Sequence, residues 1–207
     1  MSSSCHPRLR SSLHLLAATA PLLLSLAWMP VAAQAHDDHD SHAGHAAHVH
    51  GVGKLDVALD GKTLSLHLDS PLMNLVGFEH AANSAADQQA VQKMAATLRD
   101  AGKLFVANPE AGCTLSSVKL ESAAMGPALL GEKAVAPAAR QEAGHDGHAD
   151  LDGDFAFNCS QPERLRSMQI GLFEAFKGFQ KIDVQFVTAK RQGAAQLLPG
   201  KALLNLQ

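Results

Sequence analysis

The stretch Lys54-Leu-Asp-Val-Ala-Leu-Asp-Gly-Lys-Thr-Leu-Ser-Leu-His-Leu-Asp69 decides the fold, because it predicts a β-hairpin. Apolar and polar residues alternate on both sides of Asp60-Gly61, a dipeptide typical of two-residue turns. With Leu59 opposite Lys62, the apolar side chains of both strands share one face without a slip in register. The hairpin is therefore expected to bury one face and to leave a polar face in water.

A helix is expected after the hairpin. Ser84 followed by Asp87 resembles a capping box, although glutamate or glutamine is the usual partner. Apolar residues recur at helical spacing as far as Leu98, and Gly102 is placed to end the helix. Between the hairpin and this helix, the apolar residues 72–78 predict a short helical turn packed on the sheet.

The remaining elements are predicted to be short strands. These strands lie at residues 104–107, 114–120, 155–159 and 182–186. Residues 160–179 stay open between two structures: Ser160 begins a capping-box pattern, whereas Met168 and Ile170 alternate as in a strand. The segment around Pro199-Gly200 predicts a closing hairpin.

Many short strands and one or two helices that do not alternate with them indicate an α+β fold. We expect a single domain, residues 48–207, built on an antiparallel sheet with one or two packed helices. Residues 122–149 consist mainly of Ala, Gly and Pro with a few charges, and this span is far longer than the usual loop of about 4–6 residues. We predict a flexible internal loop there.

The first 35 residues have the pattern of a secretory signal peptide. Arg8 and Arg10 form a basic start, an apolar run follows, and Ala33-Gln34-Ala35 is a small-x-small cleavage site. The apolar run of roughly sixteen residues is short for a membrane span. We expect residues 1–35 to be removed, and the mature protein to be periplasmic and not membrane-spanning.

Charge and motifs exclude two classes of function. Cleavage would remove two of the 17 basic residues and none of the 20 acidic ones, which leaves a net charge of about −5 with His neutral. Nucleic acid is therefore not an expected partner. We also predict that the protein is not an enzyme, because the sequence contains no H-E-x-x-H and no G-x-S-x-G pattern.

Two cysteines, Cys113 and Cys159, remain after cleavage, because Cys5 belongs to the signal peptide. An even pair in an exported protein predicts a disulfide bond. The alternative, in which both thiolates bind a metal, lacks the C-x-x-C spacing of such sites.

A histidine-rich segment begins the mature chain. Its histidines are His36, His39, His42, His45, His48 and His50. Neutral imidazole is a common zinc ligand. Neither a helix nor a strand brings all six to one face, and the Ala, Gly, Asp and Ser between them offer nothing to bury. We interpret residues 36–47 as a mobile chelating arm.

Further candidate metal ligands lie along the domain, and His67 also fits an ordinary histidine on a water-exposed sheet face. They are His67 and Asp69 on the polar face of the hairpin, Glu79 and His80 after it, and His145, His148 and Asp150 at the end of the long loop. Together with His50, these residues offer more than the roughly four nitrogen and oxygen ligands that a zinc ion needs. The sequence does not determine which four converge.

Several short motifs occur in an order known from one family. They are His48-Val-His-Gly51, the hairpin, Ser70-Pro71, Gly77-Phe-Glu-His80, Gly112-Cys113, His148-Ala-Asp150, Phe157-Asn-Cys159, Leu172-Phe-Glu-Ala-Phe176 and Asp183-Val-Gln185. Over essentially the whole mature chain, the sequence resembles the ZrgA family of bacterial periplasmic zinc-binding proteins. The resemblance implies a protein that captures zinc beside an inner-membrane ABC-type importer.

The resemblance also implies a set of ligands. The family motifs place candidates at His48, His50, His80, His148 and Asp150. Family members often carry a longer histidine-rich central loop, whereas only His145 and His148 stand in this one.

Two functions remain in competition. The leading hypothesis is a periplasmic protein that binds Zn²⁺ and supports its uptake. The alternative is a metal buffer that sequesters copper or nickel, because an isolated histidine site holds Cu²⁺ more tightly than Zn²⁺. Induction by zinc starvation would favour the first, and induction by excess copper or nickel the second.

Overall fold

The predicted hairpin forms the centre of a six-stranded sheet in a computed structural model that describes residues 49–133 and 149–207. The strands are β1 (Val52–Asp60), β2 (Thr63–Pro71), β3 (Phe105–Ala107), β4 (Cys113–Glu121), β5 (Asp150–Cys159), β6 (Ser167–Ile170), β7 (Lys181–Val187), β8 (Gln192–Leu197) and β9 (Leu203–Asn205). The helices are α1 (Leu72–Val76), α2 (Ala85–Arg99), α3 (Ala101–Leu104) and α4 (Leu172–Ala175).

The described strands form two sheets. The large sheet has the order β4-β5-β2-β1-β7-β8, and the small sheet has the order β3-β6-β9. All neighbouring strands are antiparallel except β1 and β7, which run parallel. The predicted α+β class is confirmed. The large sheet is mixed rather than purely antiparallel. After β2 the chain crosses over, and β7 lies beside β1 and runs in the same direction.

The hairpin has the predicted faces but a different turn. Leu59 lies opposite Leu64, not Lys62, so Gly61 and Lys62 form the turn in place of Asp60-Gly61. Gly61 has a φ of +54°, a left-handed conformation that glycine adopts without strain. A shift of two residues leaves every side chain on its predicted face, since strands repeat every two residues.

One hydrophobic core joins the inner face of the hairpin to α2. The inner face contributes five fully or almost fully buried residues, Leu55, Val57, Leu64, Leu66 and Leu68. Helix α2 contributes Val91, Met94 and Leu98. The capping box is confirmed, because the Ser84 hydroxyl accepts from Asp87 N and the Asp87 carboxylate accepts from Ser84 N.

The end predicted for this helix is wrong. Helix α2 ends at Arg99, and its C-cap Asp100 leaves the helical conformation with a ψ of 42°. The Asp100 N–H still bonds the carbonyls of Ala96 and Thr97, which closes the last turn. Gly102 therefore lies inside the separate short helix α3 instead of ending α2.

Within residues 160–179, Ser167–Ile170 follow the strand alternative, and only Leu172–Ala175 form a short helix. The expected helix at Ser160 is only a 3₁₀ turn, Pro162–Arg164, after which Met168 and Ile170 are buried on strand β6. Asn108 holds this strand beside β3, because its side-chain oxygen accepts from the backbone N–H groups of Arg166 and Ser167. These tertiary bonds outweigh the local helix signal.

The expected closing hairpin forms only in part. A turn occurs at Pro199-Gly200, where Leu198 and Lys201 make an isolated bridge. The strands on either side then separate, since β8 pairs with β7 in the large sheet and β9 pairs with β6 in the small one. The C-terminal segment thereby connects the two sheets.

The predicted disulfide bond between Cys113 and Cys159 is present. Cys113 begins β4, Cys159 ends β5, and the two residues lie directly opposite each other in the strand register. The bond fastens the edge strand β4 to the body of the large sheet.

The start of the long loop packs against the domain. Met125 and Leu130 are buried, and Arg99 donates two hydrogen bonds to the Leu130 carbonyl while its guanidinium pairs with Glu132. Residues 134–148, together with the predicted signal peptide and arm, lie outside the described residues. Within residues 49–133 and 149–207, no helix is long and apolar enough to cross a membrane.

Candidate metal centre

Three segments of the chain meet at one end of the large sheet, around helix α1. The backbone N–H of Leu72 donates to the Ala149 carbonyl at 2.9 Å, which places the start of β5 beside the start of α1. The side chain of Asn74 bonds the backbone of Gly51 and Val52, which places the start of β1 beside the same helix. Each segment carries a predicted ligand at or next to this junction.

His50 and Glu79 are in direct contact at this end. Nε2 of His50 lies 3.0 Å from Oε1 of Glu79, although the two residues are 29 positions apart. Because a carboxylate only accepts, a neutral His50 ring in this contact carries its hydrogen on Nε2 and its lone pair on Nδ1. A histidine held by a carboxylate through one ring nitrogen is the usual arrangement of a metal ligand.

His80 follows Glu79 and is also fixed in orientation. Its Nδ1 donates to the Ala81 carbonyl at 3.0 Å, so in the neutral ring Nε2 carries the lone pair. The ring stacks on Phe78, with ring centroids 4.6 Å apart. Asp150 begins β5 directly opposite Pro71, so it belongs to the same end of the sheet.

His67 lies on the open face of the sheet rather than at its end. It is four residues before Pro71 along β2, or about 13 Å. Its Nδ1 lies 2.8 Å from Asp154, and its Nε2 lies 3.7 Å from Asp152, both on the neighbouring strand β5. With Asp154, it lines an open groove of about 900 Å³. Zinc requires converging ligands rather than such a volume, so the groove does not indicate the metal site.

The surroundings of His67 shift two pKa values, that of His67 and that of Asp152. Burial lowers the pKa of His67, but the hydrogen bond to Asp154 and the surrounding negative charges outweigh burial and raise this pKa above 6.5. The pKa of Asp152 is also raised, by its burial and by the negative charge of Asp69. The nearby His67 lowers it by a smaller amount. Since a metal binds only neutral imidazole, the raised pKa of His67 works against metal binding there.

We expect this environment to be visible in a titration. Because its pKa is raised on folding, protonated His67 stabilises the fold fully below pH 6.5, and the contribution is lost as pH rises through the folded-state pKa. NMR of the imidazole should give a pKa above 6.5, and Asp154→Asn should lower it. A pKa at or below 6.5 in the unmodified protein would contradict this assignment.

The structure thus brings some predicted ligands together and separates another. His50 and Glu79 are in contact, His80 and Asp150 lie in the adjoining segments, and His67 is on the face of the sheet. Among the described residues, no group of three His, Cys, Asp or Glu side chains is arranged to hold a metal. The remaining predicted ligands, His36, His39, His42, His45, His48, His145 and His148, lie outside the described residues.

The sequence did not predict that Asp152 and Asp154 contact His67, or that Asn74 is buried. Asp152 and Asp154 alternate with Leu151, Gly153 and Phe155, and this pattern alone indicates a strand with an acidic face. What the pattern does not supply is the pairing of β5 with β2. Asn74 carries no sequence signal, because it stands inside an apolar stretch.

Comparison with known proteins identifies a relationship over most of the chain. A family model described as ZrgA family zinc uptake protein matches residues 47–206. The match includes every described residue except Gln207. A search among curated proteins finds no match.

Proposed function

The chain belongs to the ZrgA family of zinc uptake proteins, and from this membership we propose that it captures Zn²⁺ in the periplasm and supports its uptake by an inner-membrane ABC-type importer. One observation carries the proposal: three ligand-bearing segments converge around α1, with His50 in contact with Glu79. Zinc is here the cargo that the protein binds and releases.

The tight site in this proposal lies at the α1 end of the large sheet. The described residues supply His50, His80 and Asp150 as nitrogen and oxygen donors that zinc accepts, while Glu79 orients the His50 ring. Two more histidines stand nearby in the chain, since His48 is two residues before His50 and His148 directly precedes Ala149.

The arm has a different role in the proposal. His36, His39, His42 and His45, with His145 in the long loop, add binding capacity at lower affinity. Every ion they hold must order a stretch of chain, and ordering costs about 1–2 kcal/mol of conformational entropy per residue. A loosely binding arm suits a protein that gathers zinc and passes it on.

Growth of the source bacterium tests the proposal. Deleting the gene should slow growth when zinc is chelated, and added zinc should restore it, because uptake would lose its capturing component. A chain in which His48, His50 and His80 are replaced by Ala should fail to complement the deletion. Normal growth under zinc limitation, with sensitivity to excess copper or nickel instead, would overturn uptake in favour of metal buffering.

A further inference from the structure

Asn74 is a polar side chain in an almost completely buried position. It lies in the middle of helix α1 and is 2 % exposed. Burying an amide without hydrogen-bond partners costs on the order of 1–3 kcal/mol in proteins, so its contacts explain why it is tolerated.

The Asn74 side-chain amide bonds one backbone N–H and one backbone carbonyl at the start of β1. Its Oδ1 accepts from the backbone N–H of Gly51 at 2.6 Å, and its Nδ2 donates to the carbonyl of Val52 at 2.9 Å. Nδ2 also donates to the Ser70 hydroxyl at 3.2 Å. The side chain thus fastens the segment directly after His50 to α1.

The surrounding backbone is packed closely around this contact. The Gly51 carbonyl accepts from the N–H groups of both Gln180 and Lys181, so this segment is held from two sides. A Cβ atom at Gly178 would overlap the backbone of Asn74, which shows that the loop before β7 lies against α1. The position of Gly51 is therefore fixed relative to the helix.

Helix α1 leads directly to the second ligand-bearing segment. It ends at Val76, its C-cap Gly77 adopts a φ of +83°, and Glu79 and His80 follow. His50 directly precedes Gly51, so the contact between Asn74 and Gly51 lies between His50 and helix α1. Among the described residues, the Asn74 side chain thus bonds the backbone beside His50 to the helix that leads to Glu79 and His80.

We propose that Asn74 is a positioning residue for zinc, which holds the backbone beside His50 at the distance at which His50 and Glu79 meet. This inference rests on the proposed function. Binding groups that are already in place lose less conformational entropy when the ion arrives, and supporting contacts around metal ligands typically contribute 10–100-fold in affinity. Asn74 touches no metal itself and acts through His50.

The test compares Asn74→Ala with Asn108→Ala in the full mature chain. Asn108 is a suitable control, because its side chain likewise bonds the backbone, accepting from two N–H groups and donating to a carbonyl. It does so beside β3 and β6, away from the predicted ligands that the structure describes. Zinc affinity is measured by competition with a chelator strong enough to report only the tightest site. Asn74→Ala should weaken that site at least about 10-fold, and Asn108→Ala should leave it unchanged.

Stability measured by urea unfolding separates positioning from folding. If Asn74→Ala lowers stability while the folded protein keeps its zinc affinity, Asn74 is only structural and the inference is overturned. If Asn74→Ala does not fold, Ser70→Ala decides, because it removes one bond to Asn74: a smaller loss of affinity supports the inference, and an unchanged affinity overturns it. If the unmodified protein binds no zinc, the proposed function itself fails.

Discussion

Replacing His50 with Ala should weaken the tightest zinc site by more than about 100-fold. His50 contacts Glu79 at 3.0 Å, and this contact points its free ring nitrogen away from the carboxylate as a ready ligand. Losing a residue that merely supports a ligand costs roughly 10–100-fold in metal affinity, so losing a ligand should exceed the upper end of that range. The measurement is chelator competition at pH 7.5 on the mature chain.

Two further variants serve as controls for this prediction. His67→Ala removes a histidine of the same fold that is paired with Asp154 and Asp152, and it should leave the tight site unchanged. Deleting residues 36–47 should reduce only the number of weakly bound zinc ions. A tight site that survives His50→Ala but disappears in either control would contradict the location proposed here.

Removing the disulfide bond should have the largest effect on stability. Cys113 and Cys159 are 46 positions apart, and closing a loop of that size stabilises a protein by roughly 4 kcal/mol in the chain-entropy model. The double variant Cys113→Ala, Cys159→Ala should lower the free energy of unfolding by about that amount. Urea unfolding of both proteins measures the difference.

The same variant should keep its zinc affinity. Cys159 lies nine residues along β5 from Asp150, which places the bond about 30 Å from the proposed site. Two alkylatable thiols in protein purified from the exported fraction, or a change in stability below about 1 kcal/mol, would contradict a role for this bond in the fold.

Local elements of this fold were predictable from the sequence because their signals are local. The hairpin faces followed from alternation, and the start of α2 followed from the Ser84 and Asp87 pair. Residues 160–170 were not predictable, since the helix signal at Ser160 competes with bonds from Asn108, more than fifty positions away. The parallel pairing of β1 with β7 likewise depends on the whole intervening chain.

In the candidate site, too, the residue types were predictable from the sequence, but their arrangement was not. Donor residue types made His50, Glu79, His80 and Asp150 candidates individually, but their placement at one end of the sheet depends on β5 lying beside β2 and on Asn74 joining Gly51 to α1. His67 has the same chemistry and is equally visible in the sequence. Only the strand pairing shows that Asp154 bonds its Nδ1 at 2.8 Å and that Asp152 lies 3.7 Å from its Nε2, on another part of the sheet.

The most direct test of the central claim is a crystal of the mature protein grown with one equivalent of zinc, measured at the zinc absorption edge. We predict a single strong anomalous peak about 2.1 Å from a ring nitrogen of His50, at the end of the sheet next to α1. A peak beside His67 on the open face, with none near His50, would contradict the account.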